Sequence, residues 1–186
     1  WCAAKDGGLM AVIEAIQTTY LEADAGNITW TGIPQTYEHL QIRISAQDHN
    51  AANSGTGFTL AIYFNNDNSY AKQCTGLIRG HGSTETAYRS SGWSTVAYMQ
   101  AEPDIPRYSG SVMDILDYTN PNKKTVCTSL SGYLGTLPSV EFGSSMWHTA
   151  TSGDVNAAVT QIMLHSPGGA GLLRGTTATL YGIKSS

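Results

Sequence analysis

The stretch Tyr37-Glu-His-Leu-Gln-Ile-Arg-Ile-Ser45 alternates apolar and polar side chains. Successive side chains of a β-strand point to opposite faces, so Leu40, Ile42 and Ile44 fall on one side and the polar residues between them on the other. This alternation predicts a strand with one face in a core and the other in solvent.

The same pattern recurs along the chain. Residues 56–64 alternate in the same way and end at the turn sequence Asn65-Asn-Asp-Asn68, whose residue types tolerate a left-handed backbone. About ten short strands separated by Gly, Pro, Asn and Ser clusters favour a sandwich or barrel. A helix over residues 10–20 is the alternative, but their β-branched side chains favour a strand. The further strands are predicted at 10–17, 27–31, 71–78, 94–100, 111–118, 125–130, 155–165 and 176–184.

Two segments rich in Gly, Ser and Thr, Arg79–Gly92 and Gly132–Ser145, are predicted to be long loops. Loops of this length in a compact domain tend to carry function or to be mobile. Aromatic side chains presented there would suit the binding of sugars or of a protein partner. The alternative is that most aromatic residues pack the core or shield its ends. The candidate surface-binding aromatics are Tyr88, Trp93, Tyr133 and Trp147.

Composition excludes several classes of partner. The chain has 186 residues and a net charge of −4, and its Lys and Arg residues are scattered. A nucleic-acid partner is not expected, because neutralising a phosphate backbone requires a basic stripe. A membrane partner is not expected either, because no apolar run approaches the ~18 residues of a spanning helix. The three cysteines, Cys2, Cys74 and Cys127, are predicted to be reduced thiols, although one bridge remains an alternative.

No catalytic motif is present. The sequence contains neither a GxSxG elbow nor an HExxH pair. Asp114 and Asp117 are three residues apart on a predicted strand, which places them on opposite faces, so they cannot easily act as a carboxylate pair. A glycosidase remains an alternative that the sequence does not suggest, because its paired acids can lie far apart in the sequence. The string His81-Gly-Ser-Thr-Glu85 could supply a weak metal site, but a solvated loop is the better interpretation. We therefore predict that the protein is not an enzyme and binds no cofactor and no metal.

The first residues lack the architecture of a signal peptide. Residues 1–9 are predicted to be an N-terminal arm or extension, and residues 10–186 are predicted to form one β-sandwich domain. No internal repeat of the kind that builds elongated fibre shafts is visible.

An ordered series of segments carries a family resemblance. The series contains Ile28-Thr-Trp-Thr-Gly-Ile-Pro-Gln-Thr-Tyr37, Ile62-Tyr-Phe-Asn-Asn-Asp-Asn-Ser-Tyr70, Ile115-Leu-Asp-Tyr-Thr-Asn-Pro-Asn-Lys-Lys124, Trp147 and Leu180-Tyr-Gly-Ile183. Over nearly the full chain this series resembles the β-sandwich structural proteins of tailed-phage particles, which are often labelled tail-fibre or head-decoration proteins.

The resemblance implies an all-β, single-domain antiparallel β-sandwich, jelly-roll-like, that forms a homotrimer. It implies a place in the virion after assembly in the host cytoplasm, with the major capsid protein or other virion proteins as partners. Because no shaft or second module is present, a capsid decoration or cement protein is favoured. The alternative is a tail-fibre or receptor-binding module that recognises a host surface glycan. The resemblance brings no catalytic residues.

Overall fold

A computed structural model describes residues 12–49, 57–68, 73–91, 95–101, 107–134, 137–148, 157–167 and 171–184. These residues form twelve strands and no helix. The strands are β1 (Val12–Tyr20), β2 (Asn27–Thr31), β3 (His39–Asp48), β4 (Gly57–Phe64), β5 (Gln73–His81), β6 (Thr84–Ser91), β7 (Thr95–Ala101), β8 (Ser109–Leu116), β9 (Thr125–Leu134), β10 (Pro138–Trp147), β11 (Gln161–His165) and β12 (Thr177–Lys184).

The strands form two antiparallel sheets of eight and four strands, packed as a jelly-roll-like β-sandwich. The larger sheet has the order β1-β12-β3-β8-β9-β10-β5-β6, and the smaller sheet has the order β2-β11-β4-β7. The end of β3 leaves the larger sheet and joins the smaller one. There, Gln47 and Asp48 pair in parallel with β7. The predicted all-β antiparallel sandwich is confirmed.

The core lies between the sheets and is centred on β3. Leu40 and Ile42 are 0% exposed, which confirms that the apolar face of the alternating stretch is buried. The same inward alternation from β8, β11 and β12 fills the space between the layers. The largest fully buried side chains are Trp30, Trp147, Tyr118, Leu40, Ile42, Leu60, Ile62, Met99, Met113, Ile115, Ile162 and Leu164.

Each of the two segments predicted to be loops contains parts of two strands, so both loop predictions are wrong. Within Arg79–Gly92, β5 continues to His81 and β6 returns from Thr84 through a two-residue turn. Gly82 occupies the first turn position with φ +59°, a backbone conformation that favours glycine and matches the twist of a tight hairpin. The Gly-Ser dipeptide of this turn was the signal that could have predicted β6.

Within Gly132–Ser145, β9 runs to Leu134 and β10 begins at Pro138. Strand β10 was missed because its polarity is inverted relative to β3. From Ser139 to Ser145 every second residue is small or polar and points into the sandwich, whereas Val140 and Phe142 are 58% and 64% exposed. A rule that places apolar residues inside cannot identify such a strand.

The partial burial of His165 predicts that the free energy of unfolding decreases in acid. Its ring packs on Tyr63 with centroids 4.4 Å apart, and burial lowers its pKa. The folded state therefore favours the neutral imidazole, so this contribution is complete above the unfolded pKa of about 6.5 and declines as pH falls through the lowered folded pKa. We expect His165→Gln to reduce the decline in unfolding free energy between pH ~7 and ~5, measured by urea titration.

The exposed residue His49 offers a matched control, because His49→Gln changes the same side-chain chemistry without removing a buried ring. An identical pH dependence in the wild type and in His165→Gln would contradict the assignment of this acid sensitivity to His165.

Candidate interaction surface

The outer face of the larger sheet carries a row of apolar side chains across neighbouring strands. Val112 of β8, Leu130 of β9, Phe142 of β10 and Ile78 of β5 are direct cross-strand partners in that order. Phe142 and Ile78 are 64% and 65% exposed. Direct cross-strand neighbours have Cβ atoms about 5 Å apart, so these side chains form one continuous surface.

A second row runs parallel to the first and lies four positions away from it on every strand. It contains Leu116, Val126, Met146 and Cys74, again as direct cross-strand partners. We use the name outer apolar face for the exposed large apolar residues of these four strands. They are Ile78, Val112, Leu116, Leu130, Leu134, Val140, Phe142 and Met146.

The outer apolar face covers an area of the size of an interaction site, and polar residues divide it. Four strands spaced about 4.8 Å apart and followed over six residues cover roughly 300 Å². Between the two apolar rows lies a third row formed by Asp114, Thr128, Ser144 and Gly76. An apolar centre mixed with polar groups is typical of interfaces, which bury about 800 Å² per partner.

A shallow groove of about 660 Å³ lies within and beside this face. Gly110 and Gly132, which are cross-strand partners, form part of its floor. A Cβ at Gly110 would meet no atom within 4 Å. The side chains of Val112 and Leu130 line the groove. Paired glycines in a strand interior therefore allow another molecule to approach the backbone closely.

Polar contacts satisfy the charged groups between and beside the apolar rows. Gln41 Nε2 donates to Asp114 Oδ1 at 2.8 Å. The guanidinium of Arg43 lies 5.1 Å from the centroid of the Tyr181 ring. These contacts reduce the desolvation that a partner would have to overcome at this surface.

The inward side of the same strands holds a buried ion pair. Glu141 is 1% exposed, and Arg79 Nε donates to its Oε1. The Arg79 guanidinium also lies 3.9 Å from the centroid of the Tyr98 ring. Burial raises the pKa of the Glu141 carboxyl, and Arg79 offsets only part of that shift. The positive charge of Arg79 is therefore matched within the protein.

A small pocket of about 110 Å³ opens beside this pair. It is lined by Leu77, Arg79, Thr86, Tyr88 and Tyr98. Tyr88 is 54% exposed, so its ring is available at the rim. The pocket therefore combines an aromatic surface with hydroxyl and guanidinium donors.

The four predicted surface aromatics have different positions. Tyr88 is exposed on β6, whereas Tyr133 and Trp147 are 7% and 2% exposed. The prediction that the latter two lie near the surface is wrong because their segments are strands whose alternation turns both rings inward. Tyr133 stacks on Tyr98 with centroids 6.2 Å apart. Trp93 lies outside the described residues.

The weak metal site considered at His81-Gly-Ser-Thr-Glu85 is not assembled. His81 Nδ1 is hydrogen-bonded to Ser139 Oγ at 2.5 Å on the inner side. Glu85 is paired with Gly80 on the outer side of the sheet. The hairpin therefore points the two side chains to opposite faces.

Another group of metal-ligand types lies after β8. Single ligand atoms of Glu38, His39 and Asp117 lie within 4.8 Å of one another. Lys123 Nζ donates to Asp117 Oδ2 and lowers the pKa of that carboxyl. The Asp117 N–H donates to His39 Nδ1 at 3.1 Å. These contacts give Glu38, His39 and Asp117 a structural role in holding the turn after β8 against the start of β3.

Comparisons with known proteins add no family. The sequence matches no protein-family model and no curated protein. One solved structure aligned with it is an alginate lyase of polysaccharide lyase family 7, with 9% identity over 82% of this chain and 62% of the lyase and a TM-score of 0.15. Another is a structure of infectious bursal disease virus, Gx strain, with 11% identity over 94% of this chain and 39% of that chain and a TM-score of 0.12. The chain thus spans less than two thirds of either protein, and TM-scores this low carry no argument about function.

The described part of the chain contains no helix long and apolar enough to cross a bilayer.

The two described cysteines should differ in reactivity. Cys74 is exposed on the outer face, whereas Cys127 is fully buried and burial raises its pKa to about 12. Because the thiolate is the reactive species, we expect iodoacetamide at about pH 8 to modify Cys74 and to spare Cys127. Peptide mass mapping of a Cys2→Ser variant measures both sites. Modification of Cys127 without denaturant would contradict its burial.

Proposed function

We propose that this protein is a tailed-phage virion structural protein, a capsid decoration or cement protein that binds the head surface as an oligomer. The observation that carries the proposal is the outer apolar face. Val112, Leu130, Phe142 and Ile78 form a continuous apolar row in register, although they face water. Burying such a row against another protein releases about 25 cal/mol for each Å² of apolar area.

The chemistry of the chain suits repeated, modest contacts. Only 13% of its residues are charged, so docking requires little desolvation of charge. A decoration protein gains avidity from many symmetric copies rather than from one very tight site. The Gly110–Gly132 groove adds a place where a segment of the major capsid protein or another virion protein could lie against the backbone.

A non-enzymatic role also agrees with the position of Glu141, a carboxylate buried in the sandwich. Glu141 is 1% exposed and paired with Arg79. A general acid or base must come within hydrogen-bond reach of its substrate. Glu141 is enclosed in the sandwich and neutralised there, so we assign it a structural role.

The alternative is a tail-fibre or receptor-binding module that recognises a glycan, and the Tyr88 pocket is the observation that favours it. An exposed tyrosine beside Thr86 and Arg79 offers stacking and hydrogen bonds, which sugar sites commonly combine. Because Glu141 balances Arg79, a neutral sugar suits the pocket better than an acidic one. Glycan-array binding that is lost in Tyr88→Ala would support this alternative.

Immunogold electron microscopy of the source particles distinguishes the two functions. Antibody raised against the purified protein should place gold over the head if the protein is a decoration protein. Gold at the tail tip would favour receptor binding. Absence of the protein from purified particles by mass spectrometry would contradict both virion roles.

A further inference from the structure

Strand β6 ends the larger sheet and has one free edge among the described residues. It pairs with β5 over eight consecutive positions, from Cys74↔Ser91 to His81↔Thr84, without a register shift. Its opposite edge pairs with no other described strand. A long regular edge presents backbone N–H and C=O groups that can bind another strand.

The other edges at the ends of the two sheets are poorer templates for pairing. Strand β1 contains a bulge between Ala15 and Gln17, and bulges twist an edge away from pairing. Strand β2 has only five residues. Strand β7 is enclosed, because Val96 and Ala97 are 1% and 0% exposed and the end of the strand pairs with β3. Strand β6 has eight residues and no proline, so it is the best available edge for pairing within the described part of the chain.

The charges of β6 are arranged for self-pairing. Glu85, Ala87 and Arg89 share the outer face, and the two charges lie at equal distances on either side of Ala87. If Ala87 pairs with the partner's Ala87 in an antiparallel ladder, Glu85 faces the partner's Arg89. The two-fold symmetry makes this ion pair twice. Cross-strand pairs of opposite charge stabilise a ladder.

We propose that two copies of this protein associate through β6, antiparallel and in register about Ala87. Registers centred on Glu85 or Arg89 are disfavoured because they place like charges opposite each other. The pairing also continues the apolar row from Ile78 through Ala87 to the partner subunit. This inference goes beyond the proposed function and does not depend on it. It gives a dimer, whereas the family resemblance implies a homotrimer.

Charge reversal tests the register. Glu85→Arg or Arg89→Glu alone places like charges opposite each other twice, and we expect each to raise the dimer dissociation constant roughly tenfold or more. The double variant Glu85→Arg/Arg89→Glu restores both pairs and should restore the wild-type constant. Sedimentation equilibrium over a concentration series measures all four proteins. A monomeric or trimeric wild type, or a double variant no better than the singles, would overturn the proposal.

A cysteine cross-link provides a second test that does not depend on charge. In a Cys2→Ser/Cys74→Ser background, Ala87→Cys would bring two thiols to directly opposed positions, whose Cβ atoms lie about 5 Å apart. Oxidation should give a species of twice the monomer mass on a non-reducing gel. The control Thr84→Cys lies on the same strand but about 20 Å from its counterpart in this register. Equal cross-linking of the two variants, or none at Ala87→Cys, would contradict the register.

Discussion

If the protein decorates phage heads through the outer apolar face, as we propose, the variant Phe142→Thr/Leu130→Thr should lose binding to the heads while retaining its fold. The two side chains are 64% and 46% exposed and adjacent in register, so they contribute more to an interface than to the core. Truncating a hot-spot residue at the centre of an interface costs about 2 kcal/mol, so two such changes weaken binding roughly 1,000-fold if both residues are hot spots and their effects add. Threonine keeps strand propensity, so the free energy of unfolding should change little.

Co-sedimentation with heads that lack the protein measures this loss. Val12→Thr/Ile13→Thr is the matched control, because these residues of β1 are 49% and 52% exposed on a distant strand of the same sheet. Equal binding by Phe142→Thr/Leu130→Thr and by this control would contradict docking through the outer apolar face.

Trp147→Ala should cause the largest loss of stability among single substitutions considered for this chain. Trp147 is 2% exposed, and its ring centroid lies 5.6 Å from that of Phe64. Its Nε1–H donates a hydrogen bond to Asp67 Oδ2 at 3.1 Å. Removing a buried tryptophan typically costs about 3–5 kcal/mol. That cost is a large fraction of a domain stability of about 5–15 kcal/mol.

Urea unfolding measures this effect, and two variants calibrate it. Trp147→Phe retains most of the packing but loses the hydrogen bond, so it should lose less than Trp147→Ala. Tyr88→Ala removes an aromatic ring that is 54% exposed and should change stability by no more than about 0.5 kcal/mol. A Trp147→Ala variant as stable as Tyr88→Ala would show that the ring is not part of the core.

The sequence could predict the strands whose apolar residues point into the core and whose polar residues point to solvent. Strand β3 was recognisable because Leu40, Ile42 and Ile44 alternate with polar residues and point into the core. The same rule failed for β10, where Ser139 and Glu141 point inward. The Ser139 hydroxyl is hydrogen-bonded to His81 and the Glu141 carboxylate is paired with Arg79. No alternation pattern reveals such contacts.

The outer apolar face could not be predicted from the sequence of any one strand, because it depends on which strands are neighbours. Val112, Leu130, Phe142 and Ile78 come from four strands, and only the strand order places them side by side. Val112, Leu130 and Ile78 look like ordinary core residues of predicted strands, whereas Phe142 falls in a segment predicted to be a loop. The exposure of Tyr88 agreed with the sequence-based expectation, even though its segment proved to be a strand rather than a loop.

Docking of the outer apolar face on the head is tested most directly by the alkylation rate of Cys74 in the free protein and on the particle. Cys74 is exposed beside Met146 on the outer face, and a Cys2→Ser background leaves it as the reactive thiol. A Thr29→Cys variant supplies a control thiol on the smaller sheet, where Thr29 is exposed. If the outer apolar face docks on the head, Cys74 should become protected on binding while the thiol at position 29 stays reactive. Equal reactivity of Cys74 in the free and bound protein would contradict docking through this face.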